Sequence, residues 1–510
     1  MHFPDPSPPL NLRLMTAAEC RAADAASSAA GIPITQLMQA AGRAVAHCVH
    51  RFTRPCRVLV LCGPGNNGGD GFAAACFLRE LGWPVLCCRM LPDVPFSPAA
   101  SVFAARWDSN GGHTLPFSPD LAARNDLIVD AVFGTGLSRP VTGELATAFA
   151  ALQASGTPVI AVDLPSGLDT DSGAVLGTTL PAVATVTFGW QKPAHVLLPG
   201  KDLCGGIVVA DIGLVPPPPA DTPLFRNAPP LWQALLPEPG LSTHKYTRGH
   251  AVVVAGAEAT GAARLAATAA ARSGCGLVTA LMPERSHGLF GSLAASILTR
   301  PFQTPEAAAT LFGDPRVHAM LIGPGAGVNA ETQTLVFAAL ATGKPTVLDA
   351  DALTVFQDDP KALFSAVRGP VILTPHSGEF ARLFPSLAKI NNKITQAAAA
   401  ARTSSAVVVL KGSDTVIATP KSHTVIVNDT APAWLATGGS GDVLAGLIVG
   451  LLAQGMPAVT AANAGVWLHG KAAIRCDSGL IADDMPSAIH AERQAMRLPL
   501  QKNTRTYAAE

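Results

Sequence analysis

Short aliphatic and β-branched runs, each ending near Gly or Asp and each followed by an Ala-rich helical stretch, recur along the whole chain. Runs that are apolar at nearly every position belong to strands buried on both faces. Such strands alternating with helices make parallel sheets, so the fold class is α/β. In the first half the expected strands are Arg57–Cys62, Val85–Arg89, Leu127–Val132, Pro158–Val162 and Ala184–Phe188. In the second half they are Ala251–Ala255, Gly276–Leu281, Ala319–Ile322, Thr346–Asp349, Val371–Leu373, Ala406–Leu410 and Thr415–Ala418. Ligands of such sheets bind at the carboxyl ends of the strands, and the Gly- and Asp-containing motifs stand there.

Four consecutive prolines, Pro216–Pro219, interrupt this rhythm. They continue neither a helix nor a central strand. Two domains are expected, residues 1–215 and 241–510, joined by a Pro-rich linker, 216–240, with a short helix around Leu231–Leu236. Charged residues are 14% of the chain and the net charge is zero, which argues against nucleic acid and anionic membrane as partners. No apolar window reaches the roughly 18 residues of a membrane span. The opening stretch Met1–Leu14 does not read as a secretory leader. The ten cysteines show no CxxC and lie largely in apolar runs, so they read as buried thiols of a reducing compartment, the cytoplasm. The tail after Met485 is expected to be loosely ordered.

The strand Val58–Leu61 leads into a glycine loop, Gly63-Pro64-Gly65-Asn66-Asn67-Gly68-Gly69-Asp70-Gly71, and a helix is expected over Phe72–Leu81. Strand, glycine loop and helix together form an arrangement that cradles phosphate, although this is not GxGxxG. A second strand ends at Asp130-Ala131-Val132-Phe133-Gly134-Thr135-Gly136-Leu137, and a third at Val162-Asp163-Leu164-Pro165-Ser166. Asn67, Asp130 and Ser166 offer hard oxygen ligands for a cation. Asp163 is left as an acid or base, with Lys192 as a charge partner. The plainer alternatives are a solvated turn at Asn66–Asp70, a cap or turn at Asp163 and a surface lysine at Lys192.

The second half carries Ala436–Gly446, ATGGSGDVLAG. Gly438, Gly439 and Gly441 allow a turn whose amides face one anion, ahead of a buried helix. A carboxylate there, Asp442, suits a general base beside a transferring phosphoryl group better than a phosphate binder. Its plainer reading is a helix cap. Lys411, at the end of Val407–Leu410, is a point charge for phosphate oxygens. His376 is placed to hydrogen-bond a substrate and Glu379 to reach a metal through water. Their alternatives are a structural histidine and a helix N-terminal carboxylate. No Walker A pattern occurs in the chain.

Over about Leu14–Leu214, GPGNNGGDG, DAVFGTGL and VDLPSGLDTDSG resemble the epimerase domain of bifunctional NAD(P)H-hydrate repair enzymes, a Rossmann-like three-layer α/β/α sandwich. Over about Leu241–Asp483, HKYTRGH, GPGAG, LDADAL, LTPHSGEF, VVLKGSDT and ATGGSGDVLAG resemble the ribokinase-like NAD(P)H-hydrate dehydratase of the same family. The resemblance implies that Asn66, Asn67, Gly68, Gly69, Asp70, Gly134, Thr135, Gly136, Leu137, Ser138, Arg139, Pro140 and Asp163 hold the hydrated dinucleotide. It implies K+ on Asn67, Asp130 and Ser166, with Asp163 as the proton-transfer residue. In the second half it implies that Gly261, Ala262, Gly325, His376 and Asp442 contact the hydrate. Lys411, Gly412, Ser413, Asp414, Thr415 and Gly441 would hold ADP or ATP, with Mg2+. The implied activity is metabolite repair, in which epimerisation of the R and S hydrates feeds nucleotide-dependent dehydration of the S form with Asp442 as base. A homo-oligomer is expected. Two rivals stay open: a ribokinase-like vitamin or sugar kinase in the second half, and a non-catalytic binding domain in the first.

Overall fold

The computed structural model describes residues 10–218, 220–257, 259–421 and 424–496. The chain forms two compact units. The first runs through Arg226 and includes Asn391–Lys393, and the second holds the rest from Asn227 onward.

In the first unit, among the described residues, the main sheet is wholly parallel. Its order is Thr114–Pro116, Val85–Arg89, Val58–Cys62, Leu127–Ala131, Val159–Val162, Ala184–Phe188, Gly206–Ala210. Side chains alternate between its faces. Val58, Val60 and Cys62 join one apolar cluster and Leu59 and Leu61 another, so both faces are covered. The edge strands Thr114–Pro116 and Gly206–Ala210 are largely exposed, and neither was expected.

The helix after Val58–Cys62 begins at Asn66, not Phe72, and runs to Glu80. Glycines ordinarily disfavour a helix interior. Here close packing outweighs that preference: a methyl on Gly68 would meet the Gly63 carbonyl oxygen at 1.9 Å, and one on Gly69 the Met38 sulfur at 2.5 Å. Asn66–Asp70 is thus helical, and the amides of Asn66, Asn67 and Gly68 precede the first helical hydrogen bond, from Gly69 N–H to the Gly65 carbonyl at 3.2 Å.

The second unit's strands run in the order Val425–Asn428, Thr415–Ala418, Val407–Leu410, Val371–Leu373, Thr346–Leu348, Ala319–Ile322, His250–Val254, Leu277–Pro283, Leu298–Phe302. Its first three strands are antiparallel, correcting the all-parallel expectation. The reason is local. Residues 411–414 are too few for a crossover, which needs a dozen or more, so the chain turns straight back. Leu298–Phe302 is a mostly exposed edge and Val425–Asn428 a short buried run, and neither was expected.

The expected linker holds a short strand, Leu224–Arg226, and two 3-10 turns, Pro229–Leu231 and Gln233–Leu235, where a short helix was expected around Leu231–Leu236. Beyond Met485 the chain continues as a helix to Ala495, so this part of the tail is ordered. Residues 497–510 lie outside the described residues, as do residues 1–9 of the opening stretch.

Ser440–Ala453 is buried from Val443 onward and packs on Thr260–Arg272. Gly446 and Gly450, one turn apart, make that approach possible. A methyl on Gly446 would stand 2.1 Å from the Ala266 carbonyl oxygen, and one on Gly450 2.1 Å from Ser273 Oγ. The helix that carries Asp442 is therefore seated by glycines four and eight positions downstream. Gly446→Val forces backbone apart and should destabilise the second unit by about 1–3 kcal/mol. A lowered urea midpoint for that unit is the expected result, and an unchanged midpoint would contradict the seating.

Candidate active sites

A cavity of about 420 Å³ opens in the first unit at the carboxyl ends of its strands. Pro64–Asn67 and Asp70 line it from the glycine motif, Val132–Leu137 from the second strand end, and Asp163 and Lys192 from its floor. Ser138, Arg139 and Pro140 are exposed and stand outside that lining. Gly68 and Gly69 are buried packing positions beneath it.

Asp163 is neither a helix cap nor a surface turn. Its φ is +68°, in the left-handed region, and Leu164 N–H donates to the Val162 carbonyl across it at 2.8 Å. A positive φ under an i to i+2 hydrogen bond is the rarer, strained form of the γ-turn. Lys192 is buried, not superficial. Its Nζ donates to Asp163 Oδ1 at 2.6 Å and to Thr187 Oγ1 at 2.6 Å. Thr187 in turn donates to Asp163 Oδ1 at 3.0 Å, and Thr135 N–H to Oδ2 at 3.1 Å. Burial opposes charge on Asp163, yet the Lys192 ammonium outweighs it and holds the carboxyl below its usual range. Burial likewise opposes charge on Lys192, and Asp163 outweighs it, so both stay ionised.

Two further cavity carboxyls behave oppositely. Burial and then the charge of Asp163 push Asp70 and Asp24 up. Of the residues around Asp163, sequence reasoning missed Thr187, His195 and Asp24. The signal for Thr187 was register: Val162 pairs with Val186, which sets Thr187 beside Asp163.

Asp130 and Ser166 meet directly. Ser166 Oγ donates to Asp130 Oδ1 at 2.7 Å and its N–H to Oδ2 at 2.8 Å. Asn67 Oδ1 lies against Gly134, 2.9 Å from where a methyl there would stand, and Asn67 Nδ2 is buried without a partner. Burial raises the Asp130 pKa to about 6, with hydrogen bonds from Ser166 opposing it. The Asp130 carboxylate and the Ser166 hydroxyl beside it are donors that suit a hard cation such as K+, whereas the Asn67 oxygen lies across Gly134 on the side of Asp163.

In the second unit Lys411 Nζ donates to Asp349 Oδ1 at 2.7 Å and lies 3.9 Å from Glu379 Oε2. Burial would lower the lysine, but Asp349 and Glu379 outweigh it and keep it charged. A methyl on Gly441 would stand 3.4 Å from the same Nζ, so the glycine loop and Lys411 come together. Gly439, at φ +87°, is the residue preceding the helix Ser440–Ala453. Asp442 makes no capping bond and sits in the first turn. Burial, and then the charge of Asp349, raise it from 3.8 to about 7, with Lys411 opposing. His469, also unforeseen, donates from Nε2 to the Ser440 carbonyl at 2.8 Å, and burial lowers its pKa to about 4.

Glu379 caps its own helix by accepting His376 N–H at 2.8 Å, and His376 Nδ1 accepts Gly378 N–H at 3.0 Å, which leaves the imidazole partly exposed. Thr415 Oγ1 donates to the Gly412 carbonyl at 2.7 Å and closes the Lys411–Thr415 turn, with Gly412 exposed, Ser413 half-buried and Asp414 buried. Gly325 has φ +64°, and its carbonyl oxygen lies 1.9 Å from where a methyl on Gly256 would stand. Gly261 opens on free space and Ala262 is half-buried. Among the described residues no three His, Cys, Asp or Glu side chains converge as a metal site.

A family model described as NAD(P)H-hydrate dehydratase matches residues 251–492, and one described as YjeF-related protein N-terminus matches residues 34–194. The chain is 38% identical to the bifunctional NAD(P)H-hydrate repair enzyme of Moorella thermoacetica, over 90% of this chain and 91% of that one. The chain belongs to the bifunctional NAD(P)H-hydrate repair enzyme family. The corresponding enzyme of Coxiella burnetii is 35% identical, over 89% of this chain and 94% of its own. A solved Bacillus subtilis ADP/ATP-dependent NAD(P)H-hydrate dehydratase, co-crystallized with ATP/Mg2+, is 29% identical over 53% of this chain and 98% of its own, at a TM-score of 0.47. The first unit carries the epimerase domain and the second the dehydratase domain.

The raised carboxyl of Asp442 makes a prediction about stability. Its folded pKa lies above its unfolded one, so the folded unit holds the proton more tightly and stability falls as pH rises from 3.8 toward about 7. Asp442→Asn removes that titration. In urea denaturation the variant should be more stable than the parent at pH 8, with the gap narrowing toward pH 4; a gap independent of pH would contradict the assignment.

Proposed function

We propose that the Asp163–Lys192 pair performs the proton transfers of epimerisation, the carboxylate accepting and the ammonium donating. The observation that carries this reading is a buried, mutually charged acid–base pair on the floor of a 420 Å³ cavity. A cavity of that size lies within the usual range for small-molecule sites, about 300–1,000 Å³. Asn66, Asn67, Asp70 and Gly134–Leu137 hold the hydrated dinucleotide around the pair, and Asn67, Asp130 and Ser166 hold K+.

In the dehydratase domain the hydrate carries a hydroxyl, and hydroxide leaves poorly. Asp442 takes the proton of that hydroxyl while its oxygen attacks the terminal phosphoryl group of ADP or ATP. The new O–P bond forms as the bond to the nucleotide's leaving oxygen breaks. The phosphorylated ring then expels phosphate as the C–O bond breaks, and the resulting cation loses a proton from the adjacent ring carbon to phosphate or water, which restores the dihydronicotinamide. A pKa near 7 matches a base that must pick up and release a proton near neutrality. Gly441 and the other first-turn amides, with Lys411–Thr415, cradle the nucleotide, and Lys411 stays charged to meet its phosphates. Gly261, Ala262, Gly325 and His376 form the hydrate's side of the site. Mg2+ bound with the nucleotide would neutralise phosphate charge. We place the domains at residues 1–215 and 241–510 with 216–240 as linker, and the protein in the cytoplasm as a homo-oligomer. The relatives and the two matching family models favour this reading over a vitamin or sugar kinase.

The two chemistries should separate by mutation. Asp442→Asn should abolish nucleotide-dependent recovery of NADH and leave interconversion of the R and S hydrates intact. Loss of both in a folded variant would overturn the division. Asp163→Asn should do the reverse, slowing epimerisation by at least about a hundredfold. Dehydratase activity should also rise with pH through about 7 as Asp442 loses its proton; a profile flat across pH 6–8 would remove it as the base.

A further inference from the structure

We propose that His195 is the positioning residue of the epimerase site, holding the strained turn that aims Asp163 at Lys192. Its ring ties the backbones of both members of the pair. Nε2 stands 3.0 Å from the Asp163 carbonyl oxygen, and Nδ1 stands 2.9 Å from Lys192 N. Lys192 N–H is a donor, so Nδ1 must accept, and the proton therefore sits on Nε2 and is donated to Asp163. The ring is 3% exposed and lies outside the cavity lining, so it acts through Asp163 and Lys192 and not on substrate.

The turn needs such a hold. A non-glycine residue at φ +68° persists only where its surroundings over-determine it. Asp163 N–H is fixed by the Val186 carbonyl at 2.7 Å, and the Asp163 carbonyl by His195. Removing the second hold leaves a buried carbonyl unpaired and frees the turn to relax toward negative φ. The carboxylate would then swing away from Lys192 Nζ, Thr187 Oγ1 and Thr135 N–H. Burial and the neighbouring Lys192 charge lower the imidazole to about 4, which keeps it neutral and in this tautomer at physiological pH.

This inference rests on the reading of Asp163 as the proton-transfer residue, and the test separates the two. Full-length chain carrying His195→Ala, His195→Gln, His195→Asn or Asp163→Asn is assayed for epimerisation, with dehydratase activity and thermal melting measured on the same samples. A glutamine amide nitrogen reaches the place of Nε2 and keeps the donor to Asp163. An asparagine oxygen reaches only the place of Nδ1. Misplacement of a reacting group by about 1 Å costs on the order of a hundredfold. We therefore expect His195→Ala and His195→Asn to lower epimerase kcat by about ten- to a hundredfold with KM within about twofold, and His195→Gln to restore most of it. Dehydratase activity should hold throughout. Equal rates for the Gln and Asn variants, or a loss that follows melting temperature alone, would overturn the positioning role; if the Ala variant does not fold, that pair still decides. Full epimerase activity in Asp163→Asn would instead bring down the reading beneath it.

Discussion

An ionised side chain withdrawn from water must meet a countercharge or give up its charge, and both domains are organised around that constraint. Each sets one lysine against one aspartate just past the ends of its strands, Lys192 on Asp163 at 2.6 Å and Lys411 on Asp349 at 2.7 Å. The pairs keep Asp163, Lys192 and Lys411 charged in sites that would otherwise neutralise them. Carboxyls nearby without such a partner move the other way. Asp130 rises to about 6 and Asp442 to about 7, both chiefly through burial. One fold principle thus yields two kinds of acid, one pinned as an anion and one able to exchange its proton near neutrality.

The sheets explain why these groups meet. Parallel strands end side by side, so residues distant in sequence are delivered to one edge. Asp163 and Lys192 are 29 positions apart, Asp349 and Lys411 62. In the epimerase domain the register that pairs Val162 with Val186 brings Thr187 to Asp163. In the dehydratase domain Gly446 and Gly450 seat the helix whose first turn carries Asp442.

Much of this was legible in the chain. The two-sided strands announced α/β architecture because every position of Val58–Cys62 or Val407–Leu410 is buried. The glycine motifs marked the strand ends. Less legible were features decided by packing or register. The helix begins at Asn66 despite its glycines because their missing side chains admit neighbouring backbone. The edge strand Gly206–Ala210 is largely exposed and carries no continuous buried run. The antiparallel return at Thr415–Ala418 follows from the shortness of the 411–414 connection, while the apolar run itself has no direction. His195 shows no motif at all, and its role emerges only from two hydrogen bonds to backbone atoms that the γ-turn brings together.

The most direct measurement of the central claim is recovery of NADH absorbance from separated R and S hydrates. Purified chain would be supplied with K+ and Mg2+ and with ADP, ATP or no nucleotide. Two linked chemistries in one chain predict full recovery from both epimers, only with nucleotide, and a lag from the R form that shortens as enzyme is added. Recovery from the S form alone, or accumulation of a stable phosphorylated product, would contradict the account.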